Sequence, residues 1–303
     1  MNSQIIFWGK FLIGWPLSII AIIYIFRFLI KSGGESILNI SNINYPYLLL
    51  GFLFFFFWFY LRAYAWRLFL EKEGYRLNLR ETIYRWEFSE LKRFVPGNVW
   101  SFLGRVSLFE ELNVPKKIIA KGLLYEIELV VSASLFLSIL SIPLAINYLG
   151  LNIPYISLVF SLFIVAFTLV FLFSEKLPLG KIKNITPNLT PLDNFIFFFI
   201  YVISCIFFGA GTFFAAHSIV SLDFSKFFEY IGFFSFSLLV GYLSFLTPSG
   251  LGVREAVVTF GLSKSILLPQ AALIAIFSRF ILIASELLFL VFVFLWKKLP
   301  LKK

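Results

Sequence analysis

Apolar runs of membrane length alternate with polar stretches along the chain, at roughly residues 5–30, 46–70, 118–148, 153–174, 194–219, 228–247 and 268–296. A helix rises about 1.5 Å per residue, so each run can span a hydrocarbon core of about 30 Å. The first run extends well past a signal-peptide apolar region and has no small-x-small cleavage pattern near its end, which predicts a retained span. Trp8, Trp15, Tyr45, Tyr47 and Trp296 flank the runs as interfacial aromatics do. The aromatic run over 52–60 reads as lipid-facing filler. No Pro/Gly/Ser-rich linker divides the chain, so the pattern predicts one all-α polytopic domain over 1–303.

The polar positions orient these spans. The segment 62–117 holds eleven Lys or Arg and seven Glu, and Lys176, Lys181 and Lys183 form a second basic loop. Positive loops stay inside, which places the N-terminus and both loops in the cytoplasm, with the plasma membrane the expected location. The basic tail Lys297, Lys298, Lys302 and Lys303 wants the same side, and seven crossings would put it outside. An added crossing over 247–267, or a split span, restores parity and gives about eight.

Composition narrows the classes. Hydrophobic residues make up 60% of the 303 positions, 42 of them Phe, and charged residues only 14%. Such a chain cannot cover itself with polar surface in water, which excludes an ordinary soluble enzyme. One Cys and one His leave no disulfide pair, CxxC or multi-His cluster, so no metal or cofactor is expected. The formal charge of +10 reports orientation and contact with anionic lipid, not nucleic acid.

Two Pro/Gly elements echo each other. LKRFVPGNVWSFLGR leads to Pro115 and a long apolar run carrying Glu126; LSFLTPSGLGVRE leads to Pro269 and a long apolar run carrying Arg279. The spacings nearly superpose, which marks candidate repeats at 46–148 and 228–297; chance similarity is the competing reading. Each element is too polar and too short to cross alone, and Pro with Gly starts a tight turn between half-helices. The expectation is a pair of re-entrant hairpins at Pro96, Gly97 and Asn98 and at Pro248, Gly250 and Gly252; the alternative is a pair of loops dipping no deeper than the headgroups. Irregular backbone at membrane depth is tolerated where it lines a wet cavity, as at the discontinuous helices of transporters. Half-helix N-termini with Arg105 and Arg254 nearby favour an anion, and a lipid phosphate is the abundant one.

Charges inside apolar runs mark ion pairs or pathways. The candidates are Glu126, Glu128, Arg279 and Glu286; Glu126 is preferred over Glu128, which points about 200° away at about 100° per residue. Arg279 and Glu286 suit one groove, and a purely structural pair of Glu126 with Arg279 is an equal alternative. Arg62 and Arg67, at the end of a span, read as snorkelling to headgroups. His217 and Cys205 read as packing residues.

KRFVPGNVWSFLGRV, the following Glu126 and LTPSGLGVREA together resemble the transmembrane region of the lysylphosphatidylglycerol synthase family, flippase-like integral membrane proteins, over most of the chain. The matching positions are Pro96, Gly97, Arg105, Glu126, Pro248, Gly250, Gly252, Arg254 and Glu255. The second motif departs from the family by reading Pro-Ser-Gly where Pro-Gly-Gly is usual. No aminoacyl-transferase domain follows the last span, so the resemblance implies transport without lipid synthesis. It implies a flippase or scramblase-like transporter, not an enzyme, for an anionic phospholipid or polyprenyl-phosphate-linked glycolipid. In that reading Glu126 and Glu255 hold the arginines when the site is empty, or meet a cationic headgroup such as an aminoacyl or aminosugar moiety.

Two other classes stay open. A membrane anchor for a separate lipid synthase or glycosyltransferase needs no site of its own. An integral membrane glycosyltransferase needs a carboxylate base in a polar loop, and the loop over 71–93 has five Glu and no Asp. No G-x-x-x-x-G-K-[ST] motif occurs, so ATP does not drive transport through a P-loop.

Overall fold

The computed structural model describes residues 43–94, 100–141, 189–244 and 248–299. The apolar pattern becomes helices and short 3-10 turns, with no strand among the described residues. In chain order they are α1 (Tyr45–Lys72), α2 (Leu79–Glu90), α3 (Trp100–Glu110), α4 (Lys116–Ser138), α5 (Pro191–His217), α6 (Phe227–Leu243), α7 (Val253–Leu262) and α8 (Leu268–Lys298). α1, α5 and α8, α4 with its 3-10 extension to Ser141, and α6 with its 3-10 lead-in from Phe224 are each long and apolar enough to cross a membrane. The chain is a multi-pass membrane protein. The expected spans at 5–30 and 153–174 lie outside the described residues, as does the turn at Pro96, Gly97 and Asn98.

Local sequence sets the helix ends. Asn78 caps α2 by accepting from the Arg80 amide at 2.9 Å. Thr190 and Asp193 close a capping box on α5, with Pro191 inside its first turn. α4 starts after Pro115, and α8 carries a proline in its first turn. α3, of 11 residues, and α7, of 10 residues, each lead through a tight turn into one of these proline-started helices. At about 1.5 Å per residue, the 10 residues of α7 reach about 15 Å, half a hydrocarbon core. Among the described residues 248–267 there is therefore no single membrane-crossing helix.

α5 packs along α1, α4 and α6, and α8 joins α1, α2 and α7. Small residues set the closest seams. A Cβ on Gly51 of α1 would stand 3.1 Å from the Ala215 amide nitrogen of α5, and one on Gly211 of α5 would stand 2.9 Å from the Phe55 ring. Helices associate in lipid by such close packing, because the tails are as apolar as the side chains. α2, expected in a cytoplasmic polar segment, is packed against α1, α3 and α8 and buries Trp86 and Glu87 completely.

Candidate functional site

Between these helices lies a cavity of about 240 Å³. α1, α3, α4, α5, α6 and α8 contribute to its wall, together with the ends of α2 and α7 and the turn before α7. The 3-10 turn Leu91–Phe94 meets the turn Pro248–Gly250 beside it. Most of the wall is apolar, but five arginines face it: Arg62, Arg93, Arg105, Arg254 and Arg279. Two carboxylates, Glu90 and Glu126, face them.

On the α2–α3 side the charges cancel. Arg62 donates to Glu126 Oε1 at 2.8 Å, and its guanidinium carbon lies 5.3 Å from the Trp58 ring and 5.0 Å from Trp86. Arg105 donates to Ser89 Oγ at 3.0 Å and to both Glu126 and Glu90, between the faces of Trp66 and Trp86. Arg93 bridges Glu90 at 3.1 Å and Glu286 of α8 at 2.7 Å. Three arginines thus meet three carboxylates, and the indoles shield the cluster from water.

The α7–α8 side does not cancel. Arg279 donates to the Ser249 carbonyl and hydroxyl, both at 2.9 Å, and its Nε stands 3.7 Å from Glu255 Oε1. Glu255 spends its other oxygen on the Gly252 amide at 2.7 Å, capping α7. Arg254 is 4% exposed and its guanidinium carbon lies 4.4 Å from the Phe208 ring. Among the described residues it has no hydrogen-bond or ion-pair partner. The pairing leaves one cation over, and it stands on the cavity wall.

Backbone conformation brings Arg254 there. Gly250 has φ +66°, and a Cβ on it would stand 2.5 Å from the Gly241 carbonyl oxygen of α6. Gly252, with φ 87°, turns the chain into α7. Only glycine takes both without strain. Ser249, at the position of the Pro-Ser-Gly departure, has φ 53° and supplies the oxygens that hold Arg279.

The structure brings Arg105, Glu126, Gly250, Arg254 and Arg279 to one cavity. Pro248 starts the turn that lines it. Glu255 and Glu286 stand behind the wall as partners of Arg279 and Arg93, so Arg279 and Glu286 do not share one groove as lining residues. Glu128 is exposed on the other face of α4. The expected pair of Glu126 with Arg279 does not form: Glu126 is taken by Arg62 and Arg105. Nor does Arg62 snorkel; it is 5% exposed and paired, because its side chain points inward between two indoles. Arg105 is saturated by carboxylates, so it cannot share a phosphate with Arg254 in this arrangement.

Glu90 and Arg93 escaped the sequence reading because they sit in a stretch rich in charge, where each looks solvated. The usable signal is Glu90 four residues after Trp86 and three after Glu87, each pair at the spacing that puts two side chains side by side on a helix. His217 packs among Tyr47, Phe213 and Phe224 and accepts from the Leu222 amide at 3.0 Å. No family model matches the chain, and no curated protein does.

Proposed function

We propose that the protein is a lipid transporter that passes an anionic headgroup between leaflets, with the acyl or prenyl chains left in the bilayer. The observation that carries this reading is Arg254, a buried guanidinium with no ion-pair partner among the described residues, on the wall of a cavity among membrane helices. An unpaired charge in such a place is costly, and a phosphate that enters with its own negative charge supplies the missing partner. Arginine engages phosphate with a planar fork, and the ring of Phe208 leaves the fork's edge open. The Ser204 hydroxyl, on the same wall and without a partner among the described residues, adds a donor.

A transferase fits less well. Both oxygens of each carboxylate on the cavity wall accept from arginines, which leaves neither carboxylate an oxygen free to take a proton from a substrate. In this reading the chain lies in the plasma membrane with a cytoplasmic N-terminus, and its substrate is an anionic phospholipid or a polyprenyl-phosphate lipid. The resemblance to the lysylphosphatidylglycerol synthase transmembrane region points to the same class.

The test is leaflet exchange of labelled phosphatidylglycerol, labelled polyprenyl phosphate and a zwitterionic control in proteoliposomes of purified protein. Exchange of an anionic lipid that disappears in Arg254→Gln is expected. Absence of anionic-lipid exchange in the wild type overturns the transporter reading and favours a membrane anchor.

A further inference from the structure

Behind the arginine cluster lies a second carboxyl group that the anion site does not use. Glu87 of α2 is fully buried, and neither of its oxygens has a hydrogen-bond partner among the described residues. Beside it on α8 is Glu286, also fully buried, with Oε2 on Arg93 and Oε1 without a partner. Two carboxyl groups sealed from water, with one arginine bond between them, cannot both stay ionised cheaply.

The surroundings decide how many protons the pair holds. Arg62 of α1, Arg93 of the turn after α2 and Arg279 of α8 face the pair, Arg279 acting on Glu286 less than Arg93 does; Glu90 lies one turn on from Glu87, and Arg105 of α3 is spent on Glu90. Burial raises Glu87 well above the usual carboxylate range, Glu286 raises it further, and Arg93 and Arg62 only partly oppose them. Burial works the same way on Glu90, but Arg105, Arg62 and Arg93 outweigh it and keep that carboxylate ionised. Arg85, Glu81 and Lys297 pair with one another towards the start of α2 and leave Glu87 alone.

We propose that Glu87 and Glu286 form a proton-binding site linked through Arg93 to the occupancy of the cavity. Arg93 faces the cavity while its Nη1 holds Glu90 and its Nη2 holds Glu286, so turning Nη2 to an anion in the cavity releases Glu286. With the cavity empty, Arg93 sits on Glu286, and the carboxyl pair holds one proton, on Glu87. When an anionic headgroup draws Arg93 towards the cavity, Glu286 loses its cation and takes a second proton from water. One proton therefore enters for each single negative charge bound, and the loaded protein gains no net charge. Linkage is reciprocal, so acidification tightens anion binding and a proton gradient biases the direction of exchange.

This proposal rests on the anion reading of the cavity, and the experiment separates the two. The ligand probe is dioctanoyl phosphatidylglycerol, whose phosphodiester does not titrate near neutrality, bound to the full chain in detergent. Calorimetry in buffers of different ionisation enthalpy counts the protons taken up. The expected result is uptake approaching one proton per lipid, with affinity rising up to about tenfold for each pH unit lowered. Glu286→Gln removes both the uptake and the pH dependence. Infrared spectroscopy of the lipid-free protein reads the site independently of any ligand: a protonated-carboxyl band at neutral pH, lost in Glu87→Gln. Absence of that band overturns the proton site and leaves the anion reading standing. A band with pH-independent affinity and no uptake overturns the linkage. A band without lipid binding at any pH overturns both the anion reading and the linkage.

Discussion

Arg254 lies with its guanidinium carbon 4.4 Å above the ring of Phe208, an arrangement that holds the cation in place while none of the described residues accepts from it. A carboxylate there would close the site. A ring steadies the charge and keeps it available. Arg254→Lys retains the charge and loses the fork, so anionic-lipid exchange should fall by about tenfold or more; Arg254→Gln should abolish it. Proteoliposome exchange rates check both.

The same residue gives a prediction of opposite sign for stability. Removing an unpaired buried charge relieves its desolvation penalty, so Arg254→Gln should melt at or above the wild-type temperature while losing function. Glu126→Gln should do the reverse. It leaves Arg62 and Arg105 facing a neutral amide, and breaking a buried pair costs about 3–5 kcal/mol. Thermal unfolding of the three proteins in one detergent distinguishes a binding charge from a structural one.

Glu87 makes stability depend on pH. Its folded form keeps a proton that the unfolded chain releases near the ordinary glutamate value of about 4.3, so between that value and the raised folded one the native state binds more protons. Stability from this group is full below about pH 4.3 and declines as pH rises through the window. Glu87→Gln should flatten that decline and raise the unfolding temperature most at alkaline pH. Melting curves across a pH series check the sign.

Gly250→Ala places a Cβ 2.5 Å from the Gly241 carbonyl at φ +66°. A positive φ alone costs about 1–3 kcal/mol in a non-glycine residue, and the contact with backbone cannot be relieved by a rotamer change. Loss of exchange with membrane insertion retained is expected. Gly74→Ala, at φ +93° with open space around it, should be milder in the same assay.

The long helices were legible because membrane spans are written in contiguous apolar residues: α1, α5, α6 and α8 begin and end close to the runs that predict them, and α4 begins close to its run, whose end lies outside the described residues. Glu126 was legible because a charge inside an apolar run has few uses. Arg62 was not. At a span's end an inward arginine and a snorkelling one have the same sequence context, and only the positions of Trp58 and Trp86 separate them. Glu87, Glu90 and Arg93 were hidden for the converse reason. Their segment is polar enough to look solvated, and its burial depends on α8, which lies nearly two hundred positions away from Arg93 along the chain.

The glycine seam between α1 and α5 divides the molecule mechanically. At Gly51 the α1 backbone meets the α5 backbone directly, and at Gly211 the Phe55 ring fills the space a side chain would take, so the two helices interlock as a fixed post. α2, α3 and α7 carry no such seam with the post; charged side chains and turns hold them at the cavity. On the proposed transport reading, the rearrangement that exposes the cavity to one leaflet and then the other is a motion of these short helices against the post, with ion pairs as the latches.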